Sequence, residues 1–146
     1  MGSTYYSLHY HWVCSTKERR PFIRDWRPRL HEYLGGTIRG LDGTPLKVGE
    51  VEDHVHVLIR LKTTHCIADF VRELKKASSV WANENHDEDF QWQEGYAIFS
   101  VSASMVDAVR RYIERQEEHH RKMSFVDELK QFLEKHSVKY DPKFLV

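Results

Sequence analysis

Cysteine, net charge and long apolar runs are all scarce in this chain, and each scarcity narrows what it can be. Two cysteines among 146 residues, Cys14 and Cys66, make neither a disulfide framework nor a CxxC pair, which fits a reducing compartment. Lysine plus arginine and aspartate plus glutamate number 22 each, so the formal net charge is zero and composition alone makes no case for nucleic-acid binding. No apolar run approaches the roughly 18 residues that span a bilayer, and the opening MGSTYYSLHY has neither the charged nor the apolar region of a secretory signal. The expectation is a cytoplasmic protein with no membrane partner. Internal repeats and low-complexity segments are absent. With 40% apolar and 30% charged residues, disorder and fibrous repeats are excluded as well. The length is that of one domain, residues 1–146, with residues 125–146 as a C-terminal helix and tail.

What is present is histidine and segregated charge. Ten histidines invite a search for metal or acid–base chemistry. The stretch from Lys17 to His31 carries six cationic side chains against Glu18 and Asp25, whereas Asn83 to Glu94 holds five carboxylates and no lysine or arginine. A chain that is neutral overall can therefore present a basic face.

Periodicity orders the elements. Tyr5 to Ser15 alternates as a strand, with Tyr6, Leu8, Tyr10, Trp12 and Cys14 on one face and Ser7, His9 and His11 on the other. From Asp25, the residues Trp26, Leu30, Tyr33, Leu34, Ile38 and Leu41 follow helical spacing up to Gly43 and Pro45. Leu46 to Glu52 and His54 to Lys62 read as a hairpin around Glu52-Asp53, and Ile67, Phe70, Val71, Leu74 and Trp81 mark a second amphipathic helix. An acidic loop from Asn83 to Glu94 precedes a fourth strand, Tyr96 to Ser102. Ser104 to Asp107 has the form of a capping box opening a helix to about His119, and Phe125, Leu129, Phe132 and Leu133 define a last helix. The order is that of a ferredoxin-like βαββαβ domain of the α+β class, an antiparallel sheet with additional C-terminal helices. Its first two helices cover one sheet face and leave the other open, and alternation in the third strand sends His54 and His56 to that open face.

Two constellations carry chemistry. His54 and His56 project from the same strand face with Cα atoms about 6.6–6.8 Å apart, close enough to share one metal ion. Tyr112 and Gln116, spaced i and i+4, lie on one face of the third helix. A tyrosine hydroxyl can attack phosphorus, and a glutamine carbonyl one turn away can add an oxygen ligand to a metal already held by imidazoles. The neighbours Glu117, His119 and His120 are candidate bases for the phenol, and sequence does not choose among them. Lys17, Arg19 and Arg20 after the first strand, and Arg72, Lys75 and Lys76 on the second helix, are candidate phosphate contacts. Trp92 or Tyr96 could stack on an unpaired base.

YHWVCSTKERRP, VEDHVHVLIRL, the helix bearing Arg72, Lys75 and Lys76, WQEGYAIFSVS and VRRYIERQEEHHRK occur in that order. Over about Tyr5 to Tyr140 the chain resembles the single-tyrosine HUH transposases of bacterial insertion sequences, the TnpA type, related to the REP-associated tyrosine transposases. The resemblance implies a metal site of His54, His56 and Gln116 for Mg²⁺ or Mn²⁺, and Tyr112 as nucleophile on single-stranded DNA through a 5′-phosphotyrosine. It also implies recognition of hairpins at element ends, a homodimer, and a tyrosine helix that completes the partner's histidine pair. Reach points the same way: ten residues separate Ser102 from Tyr112, and a helix packed on its own sheet is not expected to carry the tyrosine over the pair. The alternatives are a domesticated hairpin-binding protein without transposition, and a metal-dependent phosphohydrolase in which His9 and His11 join His54 and His56 around zinc.

Overall fold

The computed structural model describes residues 2–116, 118 and 122–145. Strands β1 (His9–Ser15), β2 (Thr44–Glu50), β3 (His54–Arg60) and β4 (Ala97–Val101) form one antiparallel sheet in the order β2-β3-β1-β4. Helix α1 (Arg27–Gly40) follows β1, α2 (Ile67–Asn85) follows β3, and α3 (Val106–Glu114) and α4 (Phe125–Lys135) follow β4. This is the ferredoxin-like arrangement with additional helices. β2 lies at an edge, where Pro45 can stand beside a register shift without costing a central ladder bond.

The aliphatic row of β3 faces α1 and α2, as its alternation requires. Val55, Val57 and Ile59 share one buried cluster with Trp12, Leu30, Leu34, Ile38, Phe70 and Leu74. Each such side chain contributes roughly 1.5–3 kcal/mol on burial.

The opposite face is not open, and this corrects the expectation from sequence. Phe125 and Leu133 of α4 pack with Val13 and Phe99, while Ile113 of α3 packs with Leu58 and Val101. The physical reason is the apolar stripe of α4, which would be left wet if the sheet face stayed uncovered. Ser124 caps that helix, its Oγ accepting from the Asp127 N–H at 3.2 Å.

Two further boundaries differ. α3 has no side-chain cap: Ser104 lies inside a 3-10 turn (Ala103–Met105) and its hydroxyl bonds that of Ser102 at 3.1 Å. α2 runs on to Asn85 into the acidic stretch, and Asn83 Nδ2 fastens the following loop by donating to the carbonyls of Asp87, Glu88 and Phe90.

Gly49 sets how closely α3 approaches the sheet. It pairs with His56, and a Cβ there would come within 2.5 Å of Ile113 Cγ2 and 3.0 Å of both the Ile113 carbonyl and Gln116 Oε1. Gly49→Ala is expected to destabilise the protein by about 1–3 kcal/mol, the range for overpacking. Gly36→Ala, on an exposed α1 position with nothing within 4 Å of the added methyl, should stabilise it by about 0.5–1 kcal/mol. Urea unfolding of the two variants beside the wild type measures both signs.

Candidate active site

β3 delivers His54 and His56 to the α3/α4 side, and each imidazole is held from behind by a different kind of group. His54 Nδ1 donates to Asp53 Oδ1 at 2.7 Å, which leaves Nε2 directed inward. His56 Nδ1 lies 2.7 Å from His11 Nε2, and His56 Nε2 lies 2.9 Å from Glu128 Oε1. The same Glu128 oxygen is 3.9 Å from His54 Nε2. The other carboxylate oxygen, Oε2, accepts the hydroxyl of Tyr112. β3 and α3 thus meet α4 at one carboxylate, with β1 behind through His11.

The donor set suits a cation. Ligating atoms of His54, His56 and Glu128 all lie within 4.8 Å of one another, and two imidazole nitrogens with a carboxylate oxygen can bind a divalent ion. Gln116 adds a second sign. It is 2% exposed, sits over Gly49 beside His56, and among the described residues neither its Oε1 nor its Nε2 has a hydrogen-bond partner. Leaving buried amide groups unsatisfied costs about 1–3 kcal/mol each, a penalty that a ligand at the site would remove. The chain turns at Arg115 after α3, so Gln116 opens the next helical residues rather than continuing the helix of Tyr112.

Burial and charge tune the groups. Tyr112 is pushed well above the ordinary phenol value, first by burial and then by its bond to the Glu128 carboxylate. His11 is pulled well below the ordinary imidazole value first by burial, then by neighbouring His56, against the opposing charge of Glu128.

Clefts flank the cluster. One of about 240 Å³ is lined by Tyr112, His11, Val109 and Phe132. The other, about 620 Å³, is lined by His54, Asp53, Arg19 and Arg27. Arg19 is presented by a turn in which Glu18 and Arg19 both hold φ of 54°, a left-handed conformation that non-glycine residues adopt at a cost. Thr16 ties that turn to the histidine strand, its Oγ1 donating to the Arg20 carbonyl at 2.7 Å and its N–H to the Asp53 carbonyl at 2.8 Å.

Over residues 4–116 the chain matches the family model described as IS200-like transposase. The protein belongs to that family. A protein from Deinococcus radiodurans R1, whose transposase assignment is provisional, shares 26% identity at a TM-score of 0.65, covering 80% of this chain and 96% of its own. A REP-associated tyrosine transposase solved bound to a REP hairpin shares the fold at a TM-score of 0.62 with 13% identity, covering 82% of this chain and 74% of its own. No curated protein matches.

Several expectations for this transposase change against the structure. Tyr112 reaches the histidine pair inside its own chain through Glu128, so the argument from reach for a partner's tyrosine does not hold. The four-histidine zinc site does not assemble among the described residues: His11 stands behind His56, and His9 lies outside the cluster, with its Nδ1 3.5 Å from Ser7 Oγ. Lys75 is occupied with backbone, its Nζ on the carbonyls of Gln93 and Glu94 at 2.6 and 2.8 Å. Arg72 pairs with Asp69 at 3.0 Å and Arg20 with Glu18 at 3.5 Å, both at the surface, and Lys17 and Lys76 are exposed. Trp92 is a core residue that donates to Ser78 Oγ at 2.9 Å, so base stacking is left to the more exposed Tyr96. Cys14 is buried, its thiol pushed up to about 12 by desolvation, and Cys66 is exposed. Glu117, His119 and His120 lie outside the described residues.

Sequence reasoning missed Glu128. The signal was there: an acidic residue in line with Phe125, Leu129 and Phe132 interrupts the apolar stripe of α4.

A depressed His11 favours the folded state above the ordinary imidazole value near 6.5, and that stability is lost as pH falls below it. Unfolding free energies at pH 7.5 and 5.5, with chelator present, should therefore fall less in His11→Phe than in the wild type. The difference is bounded by about 1.4 kcal/mol per pH unit.

Proposed function

We propose that this transposase cuts and rejoins single-stranded DNA through a covalent 5′-phosphotyrosine on Tyr112, with Mg²⁺ or Mn²⁺ held by His54, His56 and Gln116. The observation that carries this reading is the Tyr112 hydroxyl on the same carboxylate that meets His56. The orphaned Gln116 amide supports its place beside the histidines. Bound there, the cation would polarise a phosphate oxygen and offset charge in the transition state.

The protein's own groups do the rest. Glu128 holds the phenol against the pair and is placed to receive its proton at Oε2. As the phenolic oxygen bonds to phosphorus, the bond to the 3′-oxygen breaks, and the departing strand leaves as a 3′-hydroxyl after taking a proton from solvent. That hydroxyl later attacks the adduct and restores a phosphodiester, so bond energy is conserved and no nucleotide cofactor is consumed. Arg19, in the cleft beside His54, and the exposed Lys17 and Lys76 are proposed phosphate contacts, with Arg20 and Arg72 at the rim of the same reading. Hairpins at element ends are the proposed substrate, which the hairpin-bound structural relative supports.

The test is a denaturing gel after incubation with single-stranded DNA carrying candidate element ends and Mn²⁺. Wild type should carry a covalent adduct that chelator abolishes, while Tyr112→Phe should lose it and keep hairpin affinity within a few-fold. An adduct on the Phe variant would sink the assignment. Hairpin binding with no adduct in the wild type would favour the domesticated binding protein.

The resemblance further supports a homodimer, and the contact between Tyr112 and Glu128 supports sites that are each complete in one chain. Mixing His56→Ala with Tyr112→Phe under conditions of proven subunit exchange should then restore no adduct. Recovery would place each tyrosine in its partner's site.

A further inference from the structure

The two histidines of β3 are not supported alike. Asp53 secures His54, whereas behind His56 stands a third histidine, His11 of β1, two residues along the same sheet face from the Val13 that pairs with His56. His11 is buried, its Nε2 lies 2.7 Å from His56 Nδ1, and the two rings are 4.9 Å apart at 34°.

From this geometry we infer that His11 is a positioning residue that fixes the tautomer of His56, accepting its Nδ1–H so that the Nε2 lone pair is kept for a divalent cation. The inference rests on the reading that His54 and His56 hold that cation. Among the described residues, His11 Nε2 at 2.7 Å favours the Nδ1–H form of a neutral His56 and Glu128 Oε1 at 2.9 Å favours the Nε2–H form. Only the first leaves a lone pair facing the site. A neutral imidazole accepts at one ring nitrogen while the other carries hydrogen, and His11 presents its Nε2 to His56 from a buried position on β1.

A carboxylate would accept more strongly but would add a second buried charge beside Glu128. The surroundings of His11 are the rings of Phe132 at 5.0 Å and Phe99 at 6.4 Å, where an extra charge is costly. Histidine supplies the acceptor without the charge. Loss of an outer hydrogen-bond partner typically lowers metal affinity 10–100-fold.

The test uses the full-length protein without DNA, in two measurements. Mn²⁺ binding, followed by the free-ion electron paramagnetic resonance signal, should weaken about 10–100-fold in His11→Leu and stay within a few-fold of wild type in His11→Gln, whose carbonyl can still accept. Long-range ¹⁵N–¹H correlation in the metal-free protein should show the Nδ1–H form of His56 in the wild type and the Nε2–H form in His11→Leu. Unchanged Mn²⁺ affinity in a folded His11→Leu would overturn the inference. So would the Nε2–H form in the wild type, whether or not the Leu variant folds. If the wild type binds no Mn²⁺, the metal reading fails by itself, and the tautomer measurement still decides the role of His11.

Discussion

A carboxylate cut off from water has to be compensated by the groups around it, and much of this molecule is arranged to compensate Glu128. Removing such a charge from water costs several kcal/mol even after relaxation. Among the described residues the Tyr112 hydroxyl donates to one of its oxygens, and the other lies against Nε2 of His56 and His54, where a cation held by those histidines would offset the charge. Each partner belongs to a different part of the fold from the carboxylate itself. α4 can therefore lie only where its one acidic inward residue meets β3 and α3, and that position closes the second face of the sheet. The apolar stripe of Phe125, Leu129, Phe132 and Leu133 supplies the affinity for the sheet, while Glu128 supplies the register.

The order and type of the elements were legible because alternation in β3 and helical spacing in α1 and α2 are strong local signals, and each burial demand is met by an element adjacent in the chain. Local spacing likewise singled out His54 with His56 and Tyr112 with Gln116, and it was the family resemblance that joined the two as one expected site. What was not legible was the covering of the second face. The apolar stripe of α4 says that it must be buried, but not against which surface, and the choice is made by Val13 and Phe99 more than twenty residues upstream. Glu128 was missed for a related reason: an acidic residue on an amphipathic helix reads as solvated until its partners are known. Lys75 shows the reverse error, a cation read as surface that the loop carbonyls at residues 93–95 had already engaged.

Small features decide whether the two halves of the site meet at all. Gly49 lets Ile113 and Gln116 settle against the sheet opposite His56, and the turn at Thr16 to Arg20 carries its hydrogen bonds back to Asp53 behind His54. The family match ends at Gln116, so α4 and its carboxylate lie beyond the segment that identifies the chain. The histidine pair and Tyr112 lie within the matched segment, and the group that joins them in this structure comes from outside it.

On the proposed reading, that junction also governs when Tyr112 can act as a nucleophile. A half-buried phenol beside a carboxylate resists ionisation twice over, because the phenolate would be both less well solvated and next to a like charge. A divalent cation held by the histidine pair would remove the second penalty, since it would offset the charge on Glu128 and favour negative charge on the nearby phenolic oxygen. On the proposed reading the same burial that closes the cluster keeps Tyr112 protonated while the cation is absent. Reactivity then depends on the cation and the phosphate arriving together.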